Sequence, residues 1–299
     1  MQLGERNVQL ARSWKTILVA GLNKGGRGYY ALDITDPNNP KGLWEICADS
    51  ALCEVSDTDI GYTYGYPVIT KRASDGKWVV LVTSGMNNVS PGSGRGYLYV
   101  VDLATGAILR KVSTGVGDTA TPSGLAKIGG YAQSFNTNST SRYVYGGDLE
   151  GNVWRFDLSS DPPAVLKLAE LRDATGKPQS ITTRPELALI EGYPIVYVGT
   201  GRYLGTNDLQ DPATLSPPQP HAYQQSIYAI KDQGAAYGDA RQSGNWVVQT
   251  ISASGPTVRT VSDNAVEWTA KNGAKQPFTV NVGGDGGVGR RVSWREVVR

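Results

Sequence analysis

One unit recurs four times along the chain, and an internal repeat limits the possible folds more than any single motif does. Its clearest copy is RYVYGGDLEGNVWRFDL at 142–158. Tyr143, Val144 and Tyr145 are the aromatic and β-branched residues that strands favour. Gly146 and Gly147 end that run, and Leu149-Glu150-Gly151-Asn152 carries turn chemistry. Val153, Trp154 and Phe156 predict a second strand, closed by Asp157.

The other copies begin with an apolar run into glycine at 17–21, 80–85 and 196–199. A strand of the form aromatic-x-apolar-Asp then follows at 30–33, 99–102 and 154–157; the fourth copy, Tyr228-Ala229-Ile230-Lys231, puts lysine in the aspartate position. The repeated Asp is expected to bond its own turn backbone rather than to serve as a catalytic carboxylate. Gly21, Gly85, Gly147 and Gly199 fall 64, 62 and 52 residues apart, longer than the roughly 40 to 50 of common propeller repeats, so loops are inserted. A proline-led strand is predicted before the glycine run at 67–69, 122–128 and 185–190, since proline is tolerated at a strand's first residue. A fourth strand is predicted at 43–46, 107–112, 165–171 and 246–251.

Four antiparallel strands per unit, repeated around an axis, define an all-β fold of the β-propeller class. The first unit lacks a proline-led strand, so the expectation is one incomplete and three complete blades, in a partial or modified propeller cut from a longer protein. Residues 1–16 read as the remnant of a preceding element, 17–251 as blades, and 252–299 as an irregular or partial blade. Within that last stretch 278–282 suggests a strand, and the GGDGGVG run and the basic end look unpacked. A four-bladed ring is the alternative.

The chain has 299 residues, 39% of them hydrophobic, enough for a sizeable core. A net charge of +2 with no Lys/Arg run gives no nucleic-acid footprint. No apolar run is long enough to span a membrane, and the N-terminus lacks a signal-peptide core. The two cysteines, Cys47 and Cys53, are close enough for the chain to loop back and join them, which implies an oxidising compartment; two free thiols are the alternative. Zinc is disfavoured because no histidine lies near to complete a tetrahedral site.

Several loops invite chemical readings. The GGRG turn at 25–28 resembles a phosphate cradle, but a strand rather than a helix follows it. The connection 47–64 carries Asp49, Glu54, Asp57 and Asp59. Asp57 and Asp59 form a D-x-D pair that could recruit calcium, yet calcium wants six to eight oxygens, and a solvated acidic loop is the stronger expectation. Loop 87–95 is polar, Gly/Ser-rich and expected to be mobile. Insertion 200–225 holds Pro212, Pro217, Pro218, Pro220 and the chain's one histidine, His221, with no evident partner. Propeller geometry places all three loops on one face, the candidate recognition surface.

The chain resembles the C-terminal propeller domain of the PilC/PilY-type type IV pilus assembly and tip-associated adhesin family. The resemblance rests on GGRGYYALDITDP at 25–37, LWEICADSALCEVSDTDIGYTYGYPVITK at 43–71, GRGYLYVVDLATG at 94–106, VYGGDLEGNVWRFDL at 144–158, and VYVGTGRYLGTNDL with QSIYAIKD between 196 and 232. It implies a non-enzymatic protein, exported to the cell surface, pilus tip or outer membrane, acting with pilins or minor pilins in assembly, retraction control and attachment to a receptor. Many members carry a D-x-D-x-D-x-x-x-D calcium loop just before the VYGGD-like strand, and calcium there controls retraction. The corresponding positions here are Ser134, Asn136, Asn138, Thr140 and Arg142: no acid remains and an arginine stands at the closing position. No calcium is expected at that loop, and no other metal or cofactor.

Two other classes are weighed beside it. Val101-Asp102-Leu103-Ala104-Thr105-Gly106 resembles one tryptophan-docking fragment of the quinoprotein dehydrogenases, which are also propellers. Exposed Tyr and Trp would suit a carbohydrate-binding propeller. Hydrolase chemistry is disfavoured because His221 has no partner base or nucleophile in sequence.

Overall fold

The computed structural model describes residues 3–10, 13–132, 137–216, 218, 220–222, 224–253 and 259–278. Among them the elements are β-strands and two short 3-10 turns. The strands form four sheets of four or five strands and one small hairpin. The chain divides into two compact units, residues 1–149 with 153–167, and residues 150–152 with 168–299.

In the first sheet Leu3–Leu10, Ser13–Gly21, Gly28–Asp33 and Lys41–Cys47 pair antiparallel in chain order, and Val55–Ser56 adds parallel to the last of them. This corrects the reading of 1–16 as a remnant: Leu3–Leu10 is an edge strand of the first sheet. That strand has period-two burial, with Glu5, Asn7 and Gln9 exposed and Val8 buried. Its inward positions also include Gly4 and Arg6, so no apolar alternation betrayed it.

The second sheet orders Val68–Arg72, Trp78–Thr83, Tyr97–Asp102 and Ile108–Ser113, with Thr140–Ser141 parallel on its first strand. The third orders Ile128–Tyr131, Tyr143–Gly147, Asn152–Asp157 and Ala164–Glu170. Its proline-led strand therefore begins at Ile128, six residues later than expected from Pro122; the intervening chain bridges back, Leu125 to Gly85.

The strand Trp78–Thr83 has no solvent face. Val80 and Val82 pack with Val19, Tyr29 and Ala31 of the first sheet. Val79 and Leu81 pack with Ile128, Val144 and Trp154 of the third. A strand covered on both faces needs an unbroken apolar run rather than alternation, and WVVLV supplies it. Each fully buried aliphatic side chain here contributes about 1.5–3 kcal/mol.

The two junctions of this unit use one position in two chemistries. Trp44 lies opposite Ala31, with Leu43 bulged out of the pairing. Its indole Nε1 donates to Leu103 O at 2.9 Å, and its ring covers Gly106, where φ is +76° and a Cβ would meet the ring at 2.6–2.9 Å. One sheet on, Arg110 lies opposite Val100 with Leu109 bulged in the same way. Its Nε stands 2.7 Å from Asp161, which follows Asp157 by four residues as Gly106 follows Asp102. An indole against glycine at the first junction is replaced by guanidinium against carboxylate at the second.

In the second unit Glu186–Ile190, Tyr193–Gly199, Gln225–Lys231 and Gly273–Phe278 pair antiparallel, and Trp246–Val248 lies outside them, parallel to the last. The fourth strand is thus 273–278 rather than 246–251. Trp-Val-Val has the stronger strand composition, but the free edge of Gln225–Lys231 is taken by the later segment. Ile251–Ala253 forms a hairpin with Arg259–Val261. The rest of the expected 278–282 strand and the glycine-rich and basic end lie outside the described residues. Lys231, in the aspartate position, is buried. Its Nζ donates to Trp268 O and sits 4.8 Å over the Tyr193 ring, anchoring the segment that precedes the fourth strand. Asp232 makes the turn instead, accepting from Gly234 N at 2.7 Å.

The other repeated aspartates bond their own turns as expected. Asp102 accepts from Ala104 N and Thr105 N at 3.0 and 2.9 Å, and Asp157 from Ser159 N at 2.9 Å. Asp33 accepts from the Thr35 hydroxyl and amide, which together hold its carboxyl down at about 2. A depressed carboxylate contributes stability above its unfolded value, about 3.9, and loses it as pH falls through the folded value. The stability gap between wild type and Asp33→Asn should close as pH falls from 4 to about 2. Urea midpoints measured across that range test this, and a gap that does not change with pH refutes it.

Candidate functional site: a three-loop face on the first unit

Three loops of the first unit meet: the glycine-rich turn 21–28, the connection 47–64 and loop 87–95. Cys47 and Cys53 are disulfide-bonded, with Cα atoms 5.8 Å apart. The closed loop turns on Asp49, whose carbonyl accepts from Leu52 N and Cys53 N, both at 3.1 Å. The chain is thereby returned so that Val55–Ser56 pairs with Ile46 and Cys47. Leu52, at the tip, is 77% exposed.

Asp57 and Asp59 are not the solvated acids the sequence suggested. Lys111, on the outer strand of the second sheet, places Nζ 2.8 Å from Asp57 Oδ1 and 2.7 Å from Asp59 Oδ2. The ammonium also sits 4.5 Å over the Tyr97 ring. Tyr99 donates its hydroxyl to Asp57 at 3.2 Å, and Ser93 N donates to Asp59 at 2.6 Å. Burial opposes the charge on Asp59, but Lys111 and Ser93 outweigh it, and its carboxyl lies below the usual range. Burial drives the Tyr99 phenol far above its ordinary value, with the two aspartates adding to the effect.

Arg27 stitches the same loops from the other side. Its Nε donates to Ile60 O at 2.7 Å and its Nη2 to Thr58 O and Pro91 O at 3.0 and 2.7 Å. These contacts tie loop 87–95, which its composition suggested would be mobile, to the turn 21–28 and connection 47–64. Asn88 is buried and donates to Arg95 O at 2.8 Å. Gly92, at φ +127°, lets the chain pass where a Cβ would stand 2.2 Å from Asn88 O. The expectation that connection 47–64 and loop 87–95 share a face holds for these two.

Of the five degenerate calcium-loop positions, Ser134 and Asn136 lie outside the described residues. Asn138 Oδ1 accepts from Thr140 N and Oγ1 at 3.1 and 2.7 Å. The guanidinium of Arg142 stacks 5.0 Å over Tyr143 and reaches to 3.9 Å of Asp157. Between them the chain is zipped to the second sheet: Thr140 and Ser141 pair with Lys71 and Arg72, and the buried Thr70 hydroxyl bonds Ser139 O and Ser141 Oγ at 2.6 and 2.8 Å. Among the described residues no three His, Cys, Asp or Glu side chains gather as a metal site.

The insertion 200–225 belongs to the second unit and contains the 3-10 turns Thr206–Leu209 and Pro212–Thr214; Pro217 lies outside the described residues. Arg202 pairs with Asp208 at 3.0 Å, and Asp208 accepts from Leu204 N and Gly205 N. His221 does have a partner, Glu150 Oε1 at 3.4 Å. The two are 71 residues apart, which is why sequence reasoning missed the pair. The VDLATG fragment, which resembles a tryptophan-docking motif, carries the Trp44 indole as interior packing.

A succession of four-stranded antiparallel sheets fits the β-propeller class, and comparison with known proteins agrees. The family model described as the PilY1 beta-propeller domain matches residues 4–258. The chain belongs to that family. Type IV pilus biogenesis factor PilY1 of Pseudomonas aeruginosa strain PAO1 is 32% identical over 301 residues, covering 88% of this chain and 24% of that protein. A PilY1 homolog of Xylella fastidiosa is 34% identical over 256 residues, covering 84% of this chain and 18% of that protein. The solved C-terminal domain of Pseudomonas aeruginosa PilY1 superposes with a TM-score of 0.76 at 28% identity, covering 94% of this chain and 63% of that domain. This chain thus spans about a quarter or less of its curated relatives. Among the described residues no helix is long and apolar enough to cross a membrane.

Proposed function

We propose that this chain is the propeller region of a type IV pilus biogenesis factor, exported to the cell surface or pilus tip, which works by recognition rather than catalysis. Its partners are pilins or minor pilins, and its roles are assembly, retraction control and attachment. The family match over residues 4–258 carries the reading. The loop face supports it, since binding surfaces concentrate on loops held by a rigid scaffold. We further propose that loop 134–142 holds no calcium: hydrogen bonds from Thr70 and strand pairing with Lys71 and Arg72 fix its described part, and Arg142 stands where a cation would need a carboxylate.

The experiment removes the propeller codons from the full-length gene and asks whether the truncated gene restores surface pili to a null strain. Loss of sheared surface pili at normal export of the remaining protein is expected. Full piliation sinks the assembly role. Calorimetric titration of the purified chain with calcium should show no site that Arg142→Asp strengthens; a stoichiometric wild-type heat abolished by Asn138→Ala overturns the metal statement.

A further inference from the structure

Connection 47–64 sends Ile60 into the core beside Val19 and Tyr29, and the rest of the three-loop face is held by polar contacts. Polar surface loops are ordered by a bound metal, by a disulfide or by internal polar contacts. Here the disulfide closes only residues 47–53. Two side-chain cations sit among oxygens as a metal would: Arg27 reaches both connection 47–64 and loop 87–95, and Lys111 holds the D-x-D pair, whose Asp59 in turn takes Ser93 N of loop 87–95.

We propose that Lys111 and Arg27 are built-in cations that organise this face in place of a bound divalent metal, so that its shape does not depend on calcium. Lys111 bridges two carboxylates of the D-x-D pair at 2.8 and 2.7 Å. Arg27 bridges three carbonyls, two on connection 47–64 and one on loop 87–95, at 2.7–3.0 Å. Three of the four carboxylate oxygens of the pair are already engaged. Asp57 Oδ1 receives the Tyr99 hydroxyl and Asp59 N as well as the ammonium. Asp59 gives one oxygen to Lys111 and the other to Ser93 N. The Tyr97 ring covers the ammonium.

The tether matters physically. A metal leaves when its free concentration falls below its dissociation constant, whereas Lys111 is held on the paired strand Ile108–Ser113 and Arg27 beside the paired strand Gly28–Asp33. Both cations stay at their sites whatever the medium contains. A surface fixed in advance loses less freedom when a partner binds.

The clamp makes specific amides informative. Ser93 N donates to Asp59 and Asp59 N to Asp57, so their hydrogen exchange reports whether loop 87–95 and connection 47–64, respectively, are held. In the purified wild-type chain, exchange over 47–64 and 87–95 should be the same in EDTA and in excess calcium. Lys111→Met should speed exchange at both amides by at least about tenfold, because Asp59 would be buried with no cation. Exchange in the second-unit strand Tyr193–Gly199 should not change. Release of these loops by EDTA in wild type, or unchanged exchange in Lys111→Met, overturns the proposal. If Lys111→Met loosens the second unit too, Lys111→Arg decides: it keeps a cation in reach, and retained protection supports the clamp while lost protection overturns it.

Discussion

Trp44→Ala should lower the unfolding free energy by about 3–5 kcal/mol, the range for truncating a buried Trp. Three contributions make the loss large. The side chain is 8% exposed, so nearly all its apolar surface returns to water. The cavity it leaves is floored by Gly106, whose missing Cβ cannot fill it, and whose φ of +76° disfavours a replacement that could. The Leu103 carbonyl also loses its indole donor. Trp44→Phe separates these effects: it keeps most of the packing and loses the hydrogen bond, so it should cost about 1–2 kcal/mol. Urea unfolding of the purified chain measures both. A Trp44→Ala cost below that of Trp44→Phe would refute the docking role.

The same residue shows how far sequence goes. The strand holding Trp44 was legible, because Leu43-Trp44-Glu45-Ile46 follows an Asp turn at the repeat spacing. Its partner was not, since Leu103 is 59 residues away and only the fold brings them together. The VDLATG fragment did resemble a tryptophan-docking motif, and an indole does dock on it, but as packing between sheets. The apolar strand read at 80–85 exists but lies two residues earlier, at Trp78–Thr83. Leu3–Leu10 was missed because Gly4 and Arg6 hold inward positions. Gly273–Phe278 was missed because Gly, Lys, Gln and Pro disguise a strand that backbone pairing nonetheless places. The loop face was legible as a set of loops but not as a clamp: Lys111 is 54 and 52 residues from its two aspartates. An acidic run says nothing about which distant cation will neutralise it.

Asp75→Ala should cost about 3 kcal/mol, the low end for stranding a buried charge. Arg72 is the buried member of the second junction, its side chain 7% exposed. Asp75 grips it at two points, accepting from Nε at 3.1 Å and from Nη2. Without Asp75 the guanidinium keeps Asp161 at 3.4 Å, a longer contact that Asp161 already shares with Arg110. That residual partner holds the loss at the low end. The pair is not stabilising merely because it is ionic: two buried charges replaced together by apolar groups often cost nothing. Arg72→Met added to Asp75→Ala should therefore recover part of the stability, which a simple sum of favourable contacts would not allow. Acidity gives an independent check. The Arg72 guanidinium holds the Asp75 carboxyl below its ordinary value despite partial burial, so the contribution is full above about pH 4 and fades as pH falls through the lower folded value. The gap between wild type and Asp75→Ala should narrow in acid and stay constant above pH 5 or so. A double variant less stable than Asp75→Ala alone would show that Arg72 is held by its stem packing rather than by its carboxylates.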